Sequence, residues 1–147
     1  MQKSSDNGQT WTSAQGNIPS NTYFTRLNVT DTEIYVSSYQ GIYRSYNFGA
    51  NWNMISNSFR ALDIVRNGSN LYAVAEEGWL NRSVDDGYYW STISIRNQIG
   101  GAYGLTVYQG TLFVACDSGI CYSSDTSRPG TLPVTDFQEQ RESMTYQ

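Results

Sequence analysis

The chain has 147 residues, a formal net charge of −4 and only 15% charged residues. This length is typical of a single domain, and the acidic balance argues against the basic patch with which proteins neutralise nucleic-acid phosphates or anchor to anionic membranes. There is no histidine, so the usual general base and the usual imidazole metal ligand are missing, and we predict no catalytic residue, no metal site and no cofactor.

The composition also bears on location. No stretch approaches the roughly 18–20 apolar residues of a membrane span, and residues 1–6 lack the apolar core of a signal peptide. Many Ser, Thr, Asn, Gly and Tyr residues with few charges predict a neutral-polar surface, which is commoner in secreted proteins. We therefore expect no membrane insertion and an extracellular or cell-surface location, with any export signal removed or carried on a longer parent.

The pattern Ser-x-Asp/Asn-x-Gly-x-x-Trp, which we call the box, occurs three times, beginning at Ser4, Ser45 and Ser83. A degenerate fourth copy begins at Ser123. The starts are 41, 38 and 40 positions apart, close to the roughly 40–45 residues of a four-stranded propeller blade. The pattern residues are Ser4, Asp6, Gly8 and Trp11; Ser45, Asn47, Gly49 and Trp52; Ser83, Asp85, Gly87 and Trp90; and, in the fourth copy, Ser123 and Asp125.

Each box is predicted to be a structural turn without a ligand. The Asp or Asn side chain accepts hydrogen bonds from nearby backbone N–H groups, the glycine supplies a positive φ, and the tryptophan begins the next strand as a packing anchor. Asn47 keeps an acceptor oxygen, so we expect the second turn to form like the others. The fourth copy has Ser127 and Gly130 in place of glycine and tryptophan, which weakens the prediction of a closed turn there.

Short apolar runs and turn signals fill the chain between the boxes, with no helical periodicity. Each unit predicts two strands, a turn that contains Gly41, Gly78 or Gly119, a third strand that leads to the box, and a fourth that starts at the tryptophan. The predicted fold is an all-β propeller with about three and a half four-stranded blades in residues 1–130. The units are a half blade at 1–20, blades at 23–57 and 58–97, an incomplete blade without its last strand at 101–125, and a polar tail or added strand at 131–147.

Blade number has a consequence for assembly. A closed propeller needs at least four blades, and an open array leaves strand edges unpaired. Three alternatives stay open: copies that complete each other's blades in a ring, head-to-tail addition into a fibre, or a segment of a longer propeller. A homo-oligomer or head-to-tail assembly is the predicted partner arrangement.

Over residues 1 to about 125, the boxes at this spacing resemble the Asp-box, or bacterial neuraminidase, repeat. The resemblance implies a β-propeller, but members include sialidases, xyloglucanases, sortilin-type receptors and photosystem II assembly factors. A sialidase would carry an arginine in a Phe-Arg-Ile-Pro segment, and the nearest segment here, Phe59-Arg60-Ala61-Leu62, lacks the Ile-Pro. We predict a non-enzymatic scaffold, self-assembling subunit or glycan- or protein-binding module; the alternative is a fragment of a sialidase-like or xyloglucanase-like glycoside hydrolase.

Other residues suggest local roles. Arg44 and Arg82 directly precede a box serine, a repeated slot that predicts an inter-blade ion pair. Cys116 and Cys121 flank a turn and are predicted to lie directly opposite each other, where a disulfide can form; the alternative is two ordinary strand residues. Asn67, in a glycine-containing turn, is a candidate N-glycosylation site.

Twelve tyrosines and four tryptophans supply aromatic surface in a weakly charged chain. Such rings stack against sugars, although packing of blade on blade is the alternative role. The candidate stacking residues, all near turns, are Tyr39, Trp79, Tyr88 and Tyr89.

Overall fold

The computed structural model describes residues 1–30, 32–94, 100–117, 119–123 and 138–139. Its regular structure consists of one two-stranded sheet and three four-stranded sheets, all antiparallel. The half blade pairs β1 (Gln2–Lys3) with β2 (Thr12–Ser13). The described part of the chain contains no helix, so the prediction of an all-β chain is confirmed.

Each four-stranded sheet is a meander, because consecutive strands in the chain are neighbours in the sheet. Blade 1 consists of β3 (Phe24–Val29), β4 (Ile34–Ser38), β5 (Gly41–Ser45) and β6 (Asn53–Ser56). Blade 2 consists of β7 (Ala61–Asn67), β8 (Asn70–Ala75), β9 (Trp79–Ser83) and β10 (Ser91–Ser94). Blade 3 consists of β11 (Ala102–Tyr108), β12 (Thr111–Cys116), β13 (Gly119–Ser123) and β14 (Gln138–Glu139).

The cores lie between successive sheets, and β8 shows why. Alternate residues of a strand face opposite sides of the sheet, so Leu71 and Ala73 pack against blade 1 while Tyr72 and Val74 pack against blade 3. A strand that is covered on both faces is mostly apolar along its length rather than alternating. The core between blades 1 and 2 also contains Tyr35 and Ile42. The core between blades 2 and 3 also contains Leu105, Leu112, Val114 and Cys121. The core between the half blade and blade 1 contains Ile18, Val36, Tyr43 and Trp52.

The first strands β3, β7 and β11 pack beside one another and are joined by Asp63. This carboxylate is 3% exposed and accepts the N–H groups of Ile64 and, from blade 3, Leu105, each at 2.9 Å. Arg26 of blade 1 lies 3.5 Å away. Burial raises the pKa of Asp63, although the two N–H groups and Arg26 oppose that shift. Both carboxylate oxygens of Asp63 therefore have partners, and these contacts connect the three blades. We assign Asp63 a structural role, although it also lines a cavity of about 470 Å³.

The last blade takes its fourth strand from the tail. Residues 101–125 supply the three strands β11, β12 and β13, and β14 pairs with Cys121 and Tyr122 to complete the sheet. The tail therefore adds a strand, and Gln138–Glu139 was missed because two polar residues carry no apolar signal. Ser123 of the fourth box is the last residue of β13, whereas Asp125 and the other residues of 124–130 lie outside the described residues.

The register of the β12–β13 hairpin differs from the prediction. Cys116 pairs with Gly119 and Cys121 with Val114, so the expectation that the two cysteines lie directly opposite each other is wrong. The last residue pair before the turn is Cys116–Gly119, where Cys116–Cys121 was expected, so the two cysteines lie diagonally across the hairpin on the same face of the sheet. Their sulfur atoms lie 3.0 Å apart, and both side chains are buried. A disulfide between them stays a prediction.

The described residues include neither a membrane-spanning helix nor a cluster of metal ligands. No helix among them is long and apolar enough to cross a membrane. No three His, Cys, Asp or Glu side chains in that part of the chain cluster as metal ligands.

Candidate ligand-binding groove

The three complete boxes form the same hydrogen-bonded turn. In the third, the Ser83 hydroxyl oxygen accepts the Gly87 N–H at 2.8 Å and Asp85 Oδ1 accepts the Tyr89 N–H at 2.9 Å. That N–H lowers the pKa of Asp85. The corresponding bonds in the other copies measure 2.8 to 3.0 Å and join Gly8 to Ser4, Thr10 to Asp6, Gly49 to Ser45, and Asn51 to Asn47.

The box tryptophan also reaches the preceding sheet. Trp52 donates its indole N–H to Gly49 O of its own box at 3.2 Å and to Ala14 O of the half blade at 3.0 Å. Trp90 repeats this arrangement toward blade 1. Trp11 donates to Gly8 O, and no preceding sheet covers it among the described residues; it is 58% exposed, against 2% for Trp52.

An ion-pair network joins blades 1 and 2. Arg66 lies 2.8 Å from Glu33 and 2.7 Å from Asp86, and it donates to the Tyr35 hydroxyl at 2.8 Å. Arg44 of blade 1 lies 3.5 Å from Asp86 of blade 2, so the predicted inter-blade ion pair is confirmed for Arg44. The hydrogen bond from Arg66 holds the pKa of Asp86 below its usual value, and burial raises the pKa of Tyr35 to about 12.

A groove of about 620 Å³ lies beside blade 2, on the face toward blade 1. Strands β9 and β10 supply Trp79, Asn81 and Thr92, and the third box supplies three aromatic rings. The phenyl ring of Phe59 meets the indole of Trp90 edge-on, with centroids 5.5 Å apart. The lining residues are Ser58, Phe59, Ala75, Glu77, Trp79, Asn81, Tyr88, Tyr89, Trp90 and Thr92.

Asn81 is a buried polar residue in the lining of this groove. It is 2% exposed, and its Oδ1 accepts the Thr92 hydroxyl at 2.6 Å. Its Nδ2 is buried without a hydrogen-bond partner among the described residues. A buried donor without a partner costs about 1–3 kcal/mol, so a ligand acceptor at this position would recover a hydrogen bond that the protein alone lacks.

Comparison of the repeats explains why the groove is there. Counting back from the box serine, Asn81 occupies the slot of Tyr43 in blade 1 and Cys121 in blade 3. Those two residues are buried in apolar cores against the preceding sheet. Asn81 places a polar group in this apolar slot, and because it is smaller than Tyr43 it leaves space that a tyrosine would fill. A polar residue in an apolar slot of the repeat was the sequence signal that could have identified Asn81.

Three of the four predicted stacking residues meet in the groove. Trp79, Tyr88 and Tyr89 line it with exposed fractions of 42%, 84% and 82%. Tyr39 lies elsewhere, stacked on Tyr23 with ring centroids 6.2 Å apart. Sequence reasoning missed Phe59, Asn81 and Thr92, because their meeting depends on how blade 2 faces blade 1.

The groove continues past Tyr88 along the edge strand β6. A cavity of about 250 Å³ shares Ser58, Tyr88 and Trp90 with the groove. A third cavity of about 300 Å³ shares Met54, Ile55 and Tyr88 with the second. Tyr88 lines all three cavities, which together form one depression between blades 1 and 2.

The candidate glycosylation residue makes a contact of its own. Asn67 Nδ2 donates to Gly110 O in the β11–β12 turn at 3.1 Å. A sugar attached at this nitrogen would have to displace that contact. Glycosylation of Asn67 stays a prediction.

No protein-family model and no curated protein matches this chain. Solved structures do resemble it. YCF48 from Cyanidioschyzon merolae matches with a TM-score of 0.61 and 16% identity, over 73% of this chain and 35% of that one. An ancestral GH74 enzyme matches with a TM-score of 0.65 and 18% identity, over 84% of this chain and 20% of that one. The structure of YCF48 bound to D1 peptide matches with a TM-score of 0.61 and 15% identity, over 73% of this chain and 39% of that one.

These likenesses establish the fold. The chain is an all-β protein built as part of a β-propeller, with three four-stranded blades and a half blade, as predicted. It spans from a fifth to about two fifths of the length of these neighbours. Identities of 15–18% carry the architecture and no activity.

Proposed function

We propose that the chain is a non-enzymatic, extracellular propeller module that binds a neutral glycan in the groove beside blade 2. The observation that carries this proposal is that the buried Asn81 Nδ2, which lacks a hydrogen-bond partner among the described residues, lines the same groove as the exposed rings of Trp79 and Tyr89. A sugar ring offers an apolar C–H face to an aromatic ring and hydroxyl oxygens to a donor at its edge. The Asn81 Nδ2 group is a donor without a partner among the described residues, and a hydroxyl oxygen is a suitable acceptor for it.

The charge of the groove supports a neutral ligand. Glu77 is the one charged residue in its lining, so an acidic sugar would meet no cation there and would be repelled by this carboxylate. The same fact supports binding without hydrolysis, because glycoside hydrolysis ordinarily uses two carboxyl groups roughly 5–9.5 Å apart. The hydrolase alternative therefore lacks support in this groove.

The neighbours suggest two kinds of occupant. A GH74 enzyme is named as a glycoside hydrolase family member, and the YCF48 structure is described with a bound peptide. The exposed aromatic rings and the single charge favour the glycan for this chain. Peptide binding is accordingly an outcome that the test below must distinguish.

We expect cellohexaose to bind saturably to the intact chain, with hexagalacturonate and an unstructured peptide binding far more weakly. Trp79→Ala should lower cellohexaose affinity roughly tenfold or more, because it removes a stacking face. Tyr39→Ala is the matched control, since Tyr39 is an exposed ring outside the groove, and should leave affinity unchanged. Isothermal titration calorimetry makes the measurement. Binding that is unchanged by Trp79→Ala, peptide binding alone, or hydrolysis of cellohexaose to shorter sugars would overturn the proposal.

We also propose that copies assemble through the half blade. Trp11 supports this, because its indole is exposed whereas the equivalent Trp52 is covered by a preceding sheet. A sheet from a second copy would supply that cover. Light scattering during size exclusion should give a multiple of the 16.5 kDa chain mass, and Trp11→Ala should return it to a monomer. A wild-type monomer at all concentrations would contradict assembly.

A further inference from the structure

We infer that the depression between blades 1 and 2 binds the interior of a polymeric glycan chain, through two subsites on either side of Tyr88. This inference rests on the proposed function, since it concerns the same groove. The near subsite contains Trp79, Tyr89 and Asn81. The far subsite contains Asn53 and residues 86–87, and Met54 and Ile55 line both it and the connecting section.

Continuity is the first reason for two subsites. The connecting cavity shares residues with the spaces at both of its ends, so a chain that occupies the near subsite has a continuous surface to follow. Its edges are open, because Tyr88 is 84% and Met54 47% exposed. A chain can therefore enter sideways, without threading a terminus. A pocket closed at one end would instead select a chain end.

Polar groups at both ends are the second reason. The near subsite has the unpartnered Asn81 Nδ2, and the far subsite has Arg44 Nε, which is buried without a hydrogen-bond partner in the described structure. Each is a donor that suits a hydroxyl or ring oxygen. Tyr88 stands between them and offers its ring to the part of the chain that joins the two positions.

Charge balance in the far subsite is the third reason. Arg44 and Arg66 share two carboxylates, because Asp86 lies 3.5 Å from Arg44 and 2.7 Å from Arg66, and Glu33 lies 4.0 Å from Arg44 and 2.8 Å from Arg66. The two cations are thus compensated within the protein, and the site offers no excess positive charge to a carboxylate or sulfate. Both subsites therefore favour the same neutral chain.

Chain length is the test. We expect cellohexaose to bind roughly tenfold more tightly than cellobiose, a difference of about 1.4 kcal/mol. Met54→Ala should remove most of this gain and leave the cellobiose affinity unchanged, whereas Trp79→Ala should weaken both. Asn51→Ala is the control at a nearby exposed position, because Asn51 precedes β6 and does not line the three cavities. Reduction of the chain end to an alditol should leave cellohexaose affinity unaltered.

The outcomes separate this inference from the proposed function. Equal affinity for cellobiose and cellohexaose, with both dependent on Trp79, would overturn the two-subsite inference and leave glycan binding intact. Loss of binding on reduction of the chain end would overturn interior binding in the same way. Failure to bind any of these sugars in a Trp79-dependent manner would overturn both.

Discussion

Replacing Trp52 by alanine is expected to lower the free energy of unfolding by about 3–5 kcal/mol, the usual cost of truncating a buried tryptophan. The indole is 2% exposed and fills the space between the half blade and blade 1. Its N–H group bonds Ala14 O and Gly49 O, so the substitution also leaves two carbonyl groups to find other partners. Urea unfolding, followed by far-ultraviolet circular dichroism, measures the loss.

Trp11→Ala is the matched control, because Trp11 holds the same place in the first box. Its indole is 58% exposed and bonds Gly8 O within the box, so we expect a loss of roughly 1 kcal/mol in dilute protein. If copies assemble over Trp11, this loss should grow with protein concentration, since association stabilises by mass action. Equal losses for Trp11 and Trp52 in dilute monomer would contradict the role of the preceding sheet.

The box turns were predictable because their chemistry is local. Ser83, Asp85 and Gly87 satisfy one another's hydrogen bonds within a few residues, and such short-range bonding follows from residue type. The apolar runs located the middle strands for the same reason: β8 is buried on both faces and reads as continuous apolar sequence. Residue type and local pattern therefore predicted the first three strands of all three blades, and the fourth strand of blades 1 and 2.

Features that depend on contact between distant segments were not predictable. Strand β14 is held by backbone pairing with β13. Its two polar residues, Gln138 and Glu139, carry no sequence signal that would predict this pairing. The network around Arg66 brings Glu33 and Asp86 together from different blades, and no spacing in the sequence relates them. The groove depends on the same kind of contact. Its aromatic residues were recognised singly, but their common location follows from the packing of blade 2 on blade 1.

Gly41→Ala is expected to destabilise the protein by roughly 2–6 kcal/mol, as the sum of backbone strain and a steric clash. The glycine has φ +132, and an added Cβ would lie 2.0 Å from the Ser56 carbonyl oxygen. That oxygen belongs to β6, the edge strand of the same blade, so the strand would have to move. Urea unfolding of the variant and the wild type under the same conditions measures the difference in their free energies of unfolding.

Gly119→Ala separates the two causes. Gly119 occupies the same slot in blade 3 and has a similar φ of +122, but an added Cβ would meet nothing within 4 Å. Only backbone strain remains, so we expect a loss of roughly 1–3 kcal/mol. Similar losses at both glycines would show that the contact with Ser56 is unimportant. In blade 2 this slot holds Trp79, and Gly78 supplies the positive φ one residue earlier. The turn between β8 and β9 is longer than the turn between β4 and β5, so blade 2 accommodates the indole of Trp79 at the position where blade 1 has Gly41. This indole lines the groove on blade 2.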